Sequence, residues 1–308
     1  MPPRTRHAGS VGGVRIVSLL PSTTEIVFAL GAGDELAGVT VDCDYPPAAR
    51  AKRIVSGSAL PPGLTPAQID AEVRRRLAEG QALYHLDEGA LADIDPDVIL
   101  TQDLCEVCAV ATASVDEALA HLGCDGRVLT VDPGTLEEVV ESVTTIGAAI
   151  GREKPARDLT AELRGRLAAV AGAVAGRPRP RVAVLEWIDP PFAAGHWVPD
   201  MVTAAGGTSV LGRVGDRSVT TSWQDVRHAS ADVIVVAPCG FHLDGAVDQA
   251  QKVLADRRIP DGIAVWAVDA DAAFVRPGPR LIDGVQALAA ALHPGALGER
   301  PDLARRIR

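Results

Sequence analysis

Between residues 153 and 175 the apolar side chains Ala156, Leu159, Leu163, Leu167, Val170 and Val174 recur every three or four positions, with Arg, Asp and Glu between them. That spacing predicts one long amphipathic helix, which at about 1.5 Å per residue spans roughly 35 Å, the width of a small domain. What flanks this helix constrains the fold. On its N-terminal side short β-rich runs alternate with helical patterns: Arg15 to Leu20, a helix from Thr24 to Leu30, Glu35 to Thr40, Val98 to Thr101, Arg127 to Val131, and a helix from Thr135 to Ile150 ended by Gly151. On its C-terminal side Arg177-Pro178-Arg179-Pro180 stops the helix, and the rhythm restarts with Arg181 to Leu185, Val233 to Ala237, Ile263 to Val268 and a helix from Arg280 to Leu292. Such alternation is that of parallel strands joined by crossover helices. The fold class expected is therefore α/β, with two parallel-sheet lobes at 14–134 and 181–295, a helical connection at 135–180 and a charged tail at 296–308 that frays. The segment Pro61 to Ala92, with a helical run from Ala67 to Leu77, reads as a helical excursion within the first lobe.

Of the 308 residues 47% are hydrophobic but only 3% aromatic, so the core must be aliphatic. The net charge of -10, with three Lys among 30 basic residues and no basic block, excludes a nucleic-acid backbone binder. The first apolar run, Ile16 to Leu20, ends at Pro21 and is too short for a signal peptide or a membrane span. No later stretch reaches 18 apolar residues without charge, so the sequence predicts no membrane insertion and a cytoplasmic location. Five cysteines, at 43, 105, 108, 124 and 239, are an odd set unlike a secreted disulfide framework.

In parallel α/β sheets ligands bind at the carboxyl ends of strands. The loops expected there hold Ser22, Thr23 and Glu25 after the first strand; Cys43, Asp44 and Tyr45 after the second; and Gln102, Asp103, Cys105 and Cys108 after Val98 to Thr101. In the second lobe they hold Glu186, Trp187 and Phe192, then His196 and Trp197, Phe241 with His242, and Phe274 with Arg276, while Trp223 falls in a further loop or turn. Seven of the ten aromatic residues lie in these segments, which suits a broad flat ligand held between two lobes; the alternative is that the rings seal the lobe interface. Glu25 reads as a first-turn helix acid favoured by the dipole, and Arg276 as a partner for an anionic group or a tie between loops. Cys105 and Cys108, with Cys43 from a neighbouring loop and His196 or Asp44 as a fourth ligand, would suit zinc, iron or an iron–sulfur cluster; equally, the thiols pack as small hydrophobes. No GxSxG, P-loop, HExxH or GxGxxG fingerprint is present, so hydrolase, nucleotide and dinucleotide readings lack support.

The segment Arg15 to Val27 with Leu30-Gly31 and Gly38-Val39-Thr40, together with Asp95-Pro96-Asp97-Val98-Ile99-Leu100 and Ala231-Asp232-Val233-Ile234, resembles the helical-backbone substrate-binding proteins of ABC importers, the group of vitamin B12, ferric siderophore and haem binders. The resemblance runs from 15 to 293 and implies two Rossmann-like lobes bridged by one long helix, with the ligand between them and little hinge motion. Cys43-Asp44-Tyr45-Pro46, Gln102 to Cys108, Glu186-Trp187, Gly195-His196-Trp197 and Arg276 to Arg280 are similar to a subgroup labelled cobalamin-binding. The expectation drawn from it is a non-enzymatic cytosolic binder of cobalamin or another large planar metallo-ligand, held by Tyr45, Trp187, Phe192, Trp197 and Trp223, with no obligatory permease partner. Two alternatives stand beside it: a metal- or thiol-dependent enzyme using Cys43, Cys105 and Cys108, and an exported importer component.

Overall fold

The computed structural model describes residues 13–103, 115 and 126–308. The N-terminal lobe runs β1 (Ile16–Ser18), α1 (Pro21–Ala29), β2 (Leu36–Thr40), β3 (Ile54–Ser58), α2 (Pro66–Ala78), β4 (Tyr84–Leu86), α3 (Glu88–Ile94), β5 (Val98–Thr101) and β6 (Arg127–Thr130). Its sheet has the order β4-β3-β2-β1-β5-β6, parallel except for β4, which returns antiparallel to β3. The central strands are buried on both faces, as parallel strands covered by helices must be. The excursion expected at 61–92 is thus only partly helical: between α2 and α3 it supplies the edge strand β4.

Two helices then carry the chain across. α4 (Leu136–Ala149) opens with a capping box in which Thr135 and Glu138 exchange side-chain and backbone hydrogen bonds. Gly151 at φ +69° reverses the chain, a conformation that costs glycine nothing. α5 (Glu153–Val174) is the long helix, and Ala156, Leu163 and Val170, seven residues apart, form its buried line together with Thr160. The two pack closely because residue 147 is glycine: a β-carbon there would overlap that of Ala156.

The C-terminal lobe follows as β7 (Arg181–Ile188), β8 (Pro191–Ala193), α6 (Val198–Ala204), β9 (Thr208–Ser209), β10 (Val219–Thr220), α7 (Trp223–His228), β11 (Val233–Val236), α8 (Leu243–Ala255), β12 (Ala264–Val268), α9 (Ala270–Ala273), α10 (Leu281–Leu292) and β13 (Ala304–Arg306). Its sheet has the order β10-β8-β7-β11-β12-β13, with β9 also paired to β7. β7, β11 and β12 are parallel, while β8, β10 and β13 are antiparallel additions. The tail does not fray: Ala304 to Arg306 pair with Trp266 to Val268, and Leu303 is buried. Its charges mark an edge strand rather than a solvated tail. Trp223 likewise begins a helix capped by Ser222 instead of lying in a turn.

One apolar cluster runs from Ile16 and Ile26 through Val140, Ile146 and Leu163 to Met201, Val285 and Phe274, so the connecting helices give the two lobes a shared core. Among the described residues no helix is long and apolar enough to cross a membrane.

Candidate functional site at the lobe boundary

The carboxyl-end loops of the two sheets meet at the boundary between the lobes, where side chains from one bond to side chains of the other. α1 starts directly after β1 with Pro21 in its first turn, and its hydroxyl residues turn inward. Thr23 and Thr24 both bond to Ser18, at 2.6 and 2.8 Å, and Ser22 is buried against Gly278. Cys43 joins this buried chain through Thr24, 3.0 Å away. Burial pushes its thiol up to about 11 despite the hydrogen bond it shares with Thr24. That is the opposite of the depressed value a reactive thiolate needs, so Cys43 behaves as a packed hydrophobe. Cys105 and Cys108 lie outside the described residues. Among the described residues no group of three or more His, Cys, Asp or Glu is placed to hold a metal.

Glu25 is the fifth residue of α1, beyond the first turn, and its partner is a side chain rather than the helix dipole. Its two carboxylate oxygens accept hydrogen bonds from Nε and Nη2 of Arg280 at 2.9 and 2.7 Å. Burial raises its pKa, with Arg280 pulling the other way. The same guanidinium stands over the Tyr45 ring, its Cζ 3.9 Å from the ring centroid. Asp44 makes a second crossing: it accepts from Nη1 of Arg276 at 2.5 Å and lies 3.2 Å from Nε2 of His242. Arg276 also donates to Asp271 at 3.2 Å, and Asp271 accepts the Gly240 N–H at 2.9 Å. The other ring nitrogen of His242 faces Asp269 at 3.0 Å. A neutral imidazole would turn an acceptor nitrogen towards one of these two carboxylates, so the geometry favours the imidazolium, a donor at both positions. Its pKa is raised accordingly: burial lowers it, but Asp269, Asp271 and Asp44 outweigh that. Asp44 is held below its usual range because Arg276 and His242 outweigh its own burial.

The aromatic set divides. Trp197 is 5% exposed, its indole N–H donates to the Phe274 carbonyl at 2.8 Å, and Phe274 is fully buried. Both belong to the core: Trp197, expected from the sequence to hold a ligand, follows the Gly-His-Trp turn straight into α6 with its indole inward. Trp223 is partly buried against the second-lobe core around Ile188. Tyr45 is exposed, and Trp187, Phe192 and Phe241 are half-buried. The Trp187 and Phe241 rings stand 6.0 Å apart, and Phe192 pairs with Trp187 across the β7–β8 ladder.

Glu186 braces its own lobe, accepting the Gly195 N–H at 3.3 Å and the Ser218 hydroxyl. His196 sits at φ +51° with its N–H on the Asp216 carbonyl, and burial and Arg217 lower its pKa; its Nε2 is buried without a partner among the described residues. Gln102 is buried, and the Asp103 N–H bonds to Asp132 at 2.8 Å.

Residues 16–260 match the model of a family described as periplasmic binding protein. The chain belongs to that family. As a binding protein of this kind it takes a small-molecule ligand, and its relatives span several cargoes. A cobalamin-binding protein of Halobacterium salinarum is 25% identical over 91% of this chain and 69% of its own. An uncharacterised ABC transporter substrate-binding lipoprotein of Bacillus subtilis is 26% identical over 92% and 82%. The crystal structure of a periplasmic haem-binding protein from Pseudomonas aeruginosa, 21% identical, superposes with a TM-score of 0.68 over 94% of this chain and 96% of that one, which bears out the two-lobed fold with a connecting helix. These findings overturn the expected cytoplasmic location: the family is periplasmic and one relative is a lipoprotein. Reading Ile16–Ser18 as a strand is correct, but a core strand says nothing about the compartment in which the folded chain works. The expectation of a binder without an obligatory permease stands against a relative that is an ABC transporter substrate-binding lipoprotein.

Asp269 and Asp271 were not singled out from the sequence, and His242 and Arg280 were placed in strand-end loops without a role in the site. Their partners lie far off in the chain: Glu25 and Arg280 are 255 positions apart, and Asp44 and His242 are 198 apart. The one legible sign was the pair of acids, Asp269 and Asp271, directly after a predicted strand.

Proposed function

We propose that this binding protein works outside the cytoplasmic membrane as the substrate-binding component of an ABC importer, with a corrinoid as its cargo. The observation that carries the reading is the ring set Tyr45, Trp187, Phe192 and Phe241, which keeps exposed or half-exposed ring surface at the strand ends beside the lobe boundary. Flat macrocycles bind by large-area contact with such side chains, and fixed polar groups orient them. The cobalamin-binding relative supports the choice of corrinoid over other planar ligands. Ser22, Thr23, Glu186 and Trp197 act in this reading as supports for the site, and Asp44 and Arg276 line it.

Titrating pure protein with cyanocobalamin, hydroxocobalamin and haemin, followed by tryptophan fluorescence and calorimetry, tests the proposal. Micromolar or tighter binding of a corrinoid is expected, about -8 kcal/mol or better. Failure to bind either corrinoid more tightly than about millimolar overturns it. Fractionating the producing cells tests the location, and recovery of the mature protein in the cytosol would contradict that part.

A further inference from the structure

Arg280 makes two contacts that are rarely needed together. Its Nε and Nη2 donate to both oxygens of Glu25, at 2.9 and 2.7 Å, and its Cζ lies 3.9 Å from the centre of the Tyr45 ring. A two-point pair with a carboxylate fixes the orientation of the guanidinium as well as its position. Glu25 is in turn buried, its side chain 4% exposed on α1. Tyr45 is the opposite case: 44% exposed, in a loop, with no hydrogen bond to its hydroxyl among the described residues. The loop alone does not determine where the ring points, whereas a cation held rigidly against its face does.

We infer that Arg280 is a positioning residue, and that Glu25 and Arg280 together hold the Tyr45 ring as one wall of the ligand site. A ring of the first lobe is thereby aimed by a cation of the second. Stability alone would account for an ion pair between the lobes, but not for an exposed ring stacked on it. With one face covered by the guanidinium, the rest of the ring is free to meet a flat ligand at little cost in ordering. This inference rests on the lobe boundary being the ligand site, and it names how one wall of that site is built.

The test has one arm without ligand and one with. Tyr45 and Tyr84 are the two tyrosines of the chain, so carbon-13 labelling of tyrosine gives two assignable sets of ring resonances. In the ligand-free protein Arg280→Lys, which keeps a charge opposite Glu25 but has no planar fork, is expected to move the Tyr45 resonances towards those of free tyrosine and leave those of Tyr84 in place. Glu25→Gln, which loosens the grip on Arg280, is expected to produce a smaller displacement of the same sense and serves if the lysine variant does not fold. With cyanocobalamin as probe, Arg280→Lys and Tyr45→Ala should each weaken binding about tenfold, and the double variant should bind no more weakly than Tyr45→Ala, because the arginine acts through the ring. Unmoved Tyr45 resonances, or losses that multiply in the double variant, overturn the inference. If the wild-type protein binds no corrinoid, the ligand-free arm still decides the positioning, and the failure belongs to the choice of cargo.

Discussion

At Cys43 and His242 the same physics, burial set against neighbouring charge, gives opposite results. Cys43 has a hydroxyl neighbour and a thiol pushed up to about 11, so near pH 8 only about one molecule in a thousand carries the thiolate. Iodoacetamide at that pH should modify the partly exposed Cys239 long before Cys43, as peptide mass spectrometry would report; rapid labelling of Cys43 would contradict its burial. His242 sits among Asp44, Asp269 and Asp271, with Arg276 beyond, and its pKa is raised. A folded-state value above the unfolded one, about 6.5, means that its interactions stabilise the fold fully below that pH and fade as pH climbs through the folded value. Asp44 works in the other sense: its lowered value gives stability that is present above the unfolded value of about 3.9 and is lost only as pH falls through the folded one. Near pH 5.5 both are charged. The melting temperature of His242→Gln should therefore fall furthest below wild type near pH 5.5, with the gap narrowing on the alkaline side. A gap that is constant with pH would mean that the histidine contributes no charge to the boundary.

Among the elements, β13 and the α4–α5 pair make the sharpest demands on sequence. Deleting residues 299–308 removes β13, bares the edge of β12 at Trp266 and exposes the face that Leu303 covers. The loss expected is about 2 to 4 kcal/mol from one aliphatic side chain and a short ladder of hydrogen bonds, read as a lower urea midpoint. An unchanged midpoint would show the tail to be idle. Gly147→Val should cost about 1 to 3 kcal/mol in the same assay, because the new side chain has to push Ala156 and α5 away. The sequence made α5 and the parallel strands legible, since Ala156, Leu163 and Val170 keep one helical line and Val98 to Thr101 is a continuous β-rich run. β8, β9 and β10, two or three residues each, are too short for a periodic pattern, and Arg305 and Arg306 make β13 look like solvated chain. In α8 the line Leu243, Ala246, Val247, Ala250 and Val253 is present in the sequence, but alanine gives it little contrast. For the site, the positions after strands were readable from topology. The pairing of Glu25 with Arg280 and of Asp44 with His242 was not, because it depends on how the lobes meet.

The molecule as a whole has a shared core and a boundary closed by charge. Since one apolar cluster reaches from Ile16 to Phe274 through α4 and α5, neither lobe can unfold without exposing surface that the other buries. Scanning calorimetry should give a single transition with equal calorimetric and van't Hoff enthalpies; two separated transitions would contradict a common core. The cross-lobe pairs Glu25–Arg280 and Asp44–Arg276 stand on the side of the boundary where β1 and β2 meet the loop after β12, and α2, which buries no residue, reaches over to the second lobe through Arg74 and Thr220 at 3.2 Å. A 22-residue helix cannot be stretched, and the helix packed against it takes up no slack. The paired helices are thus a strut built into the shared core rather than a free tether between the lobes. On the proposed reading, a strut of that kind would leave the walls of the ligand site standing in place before any cargo arrives.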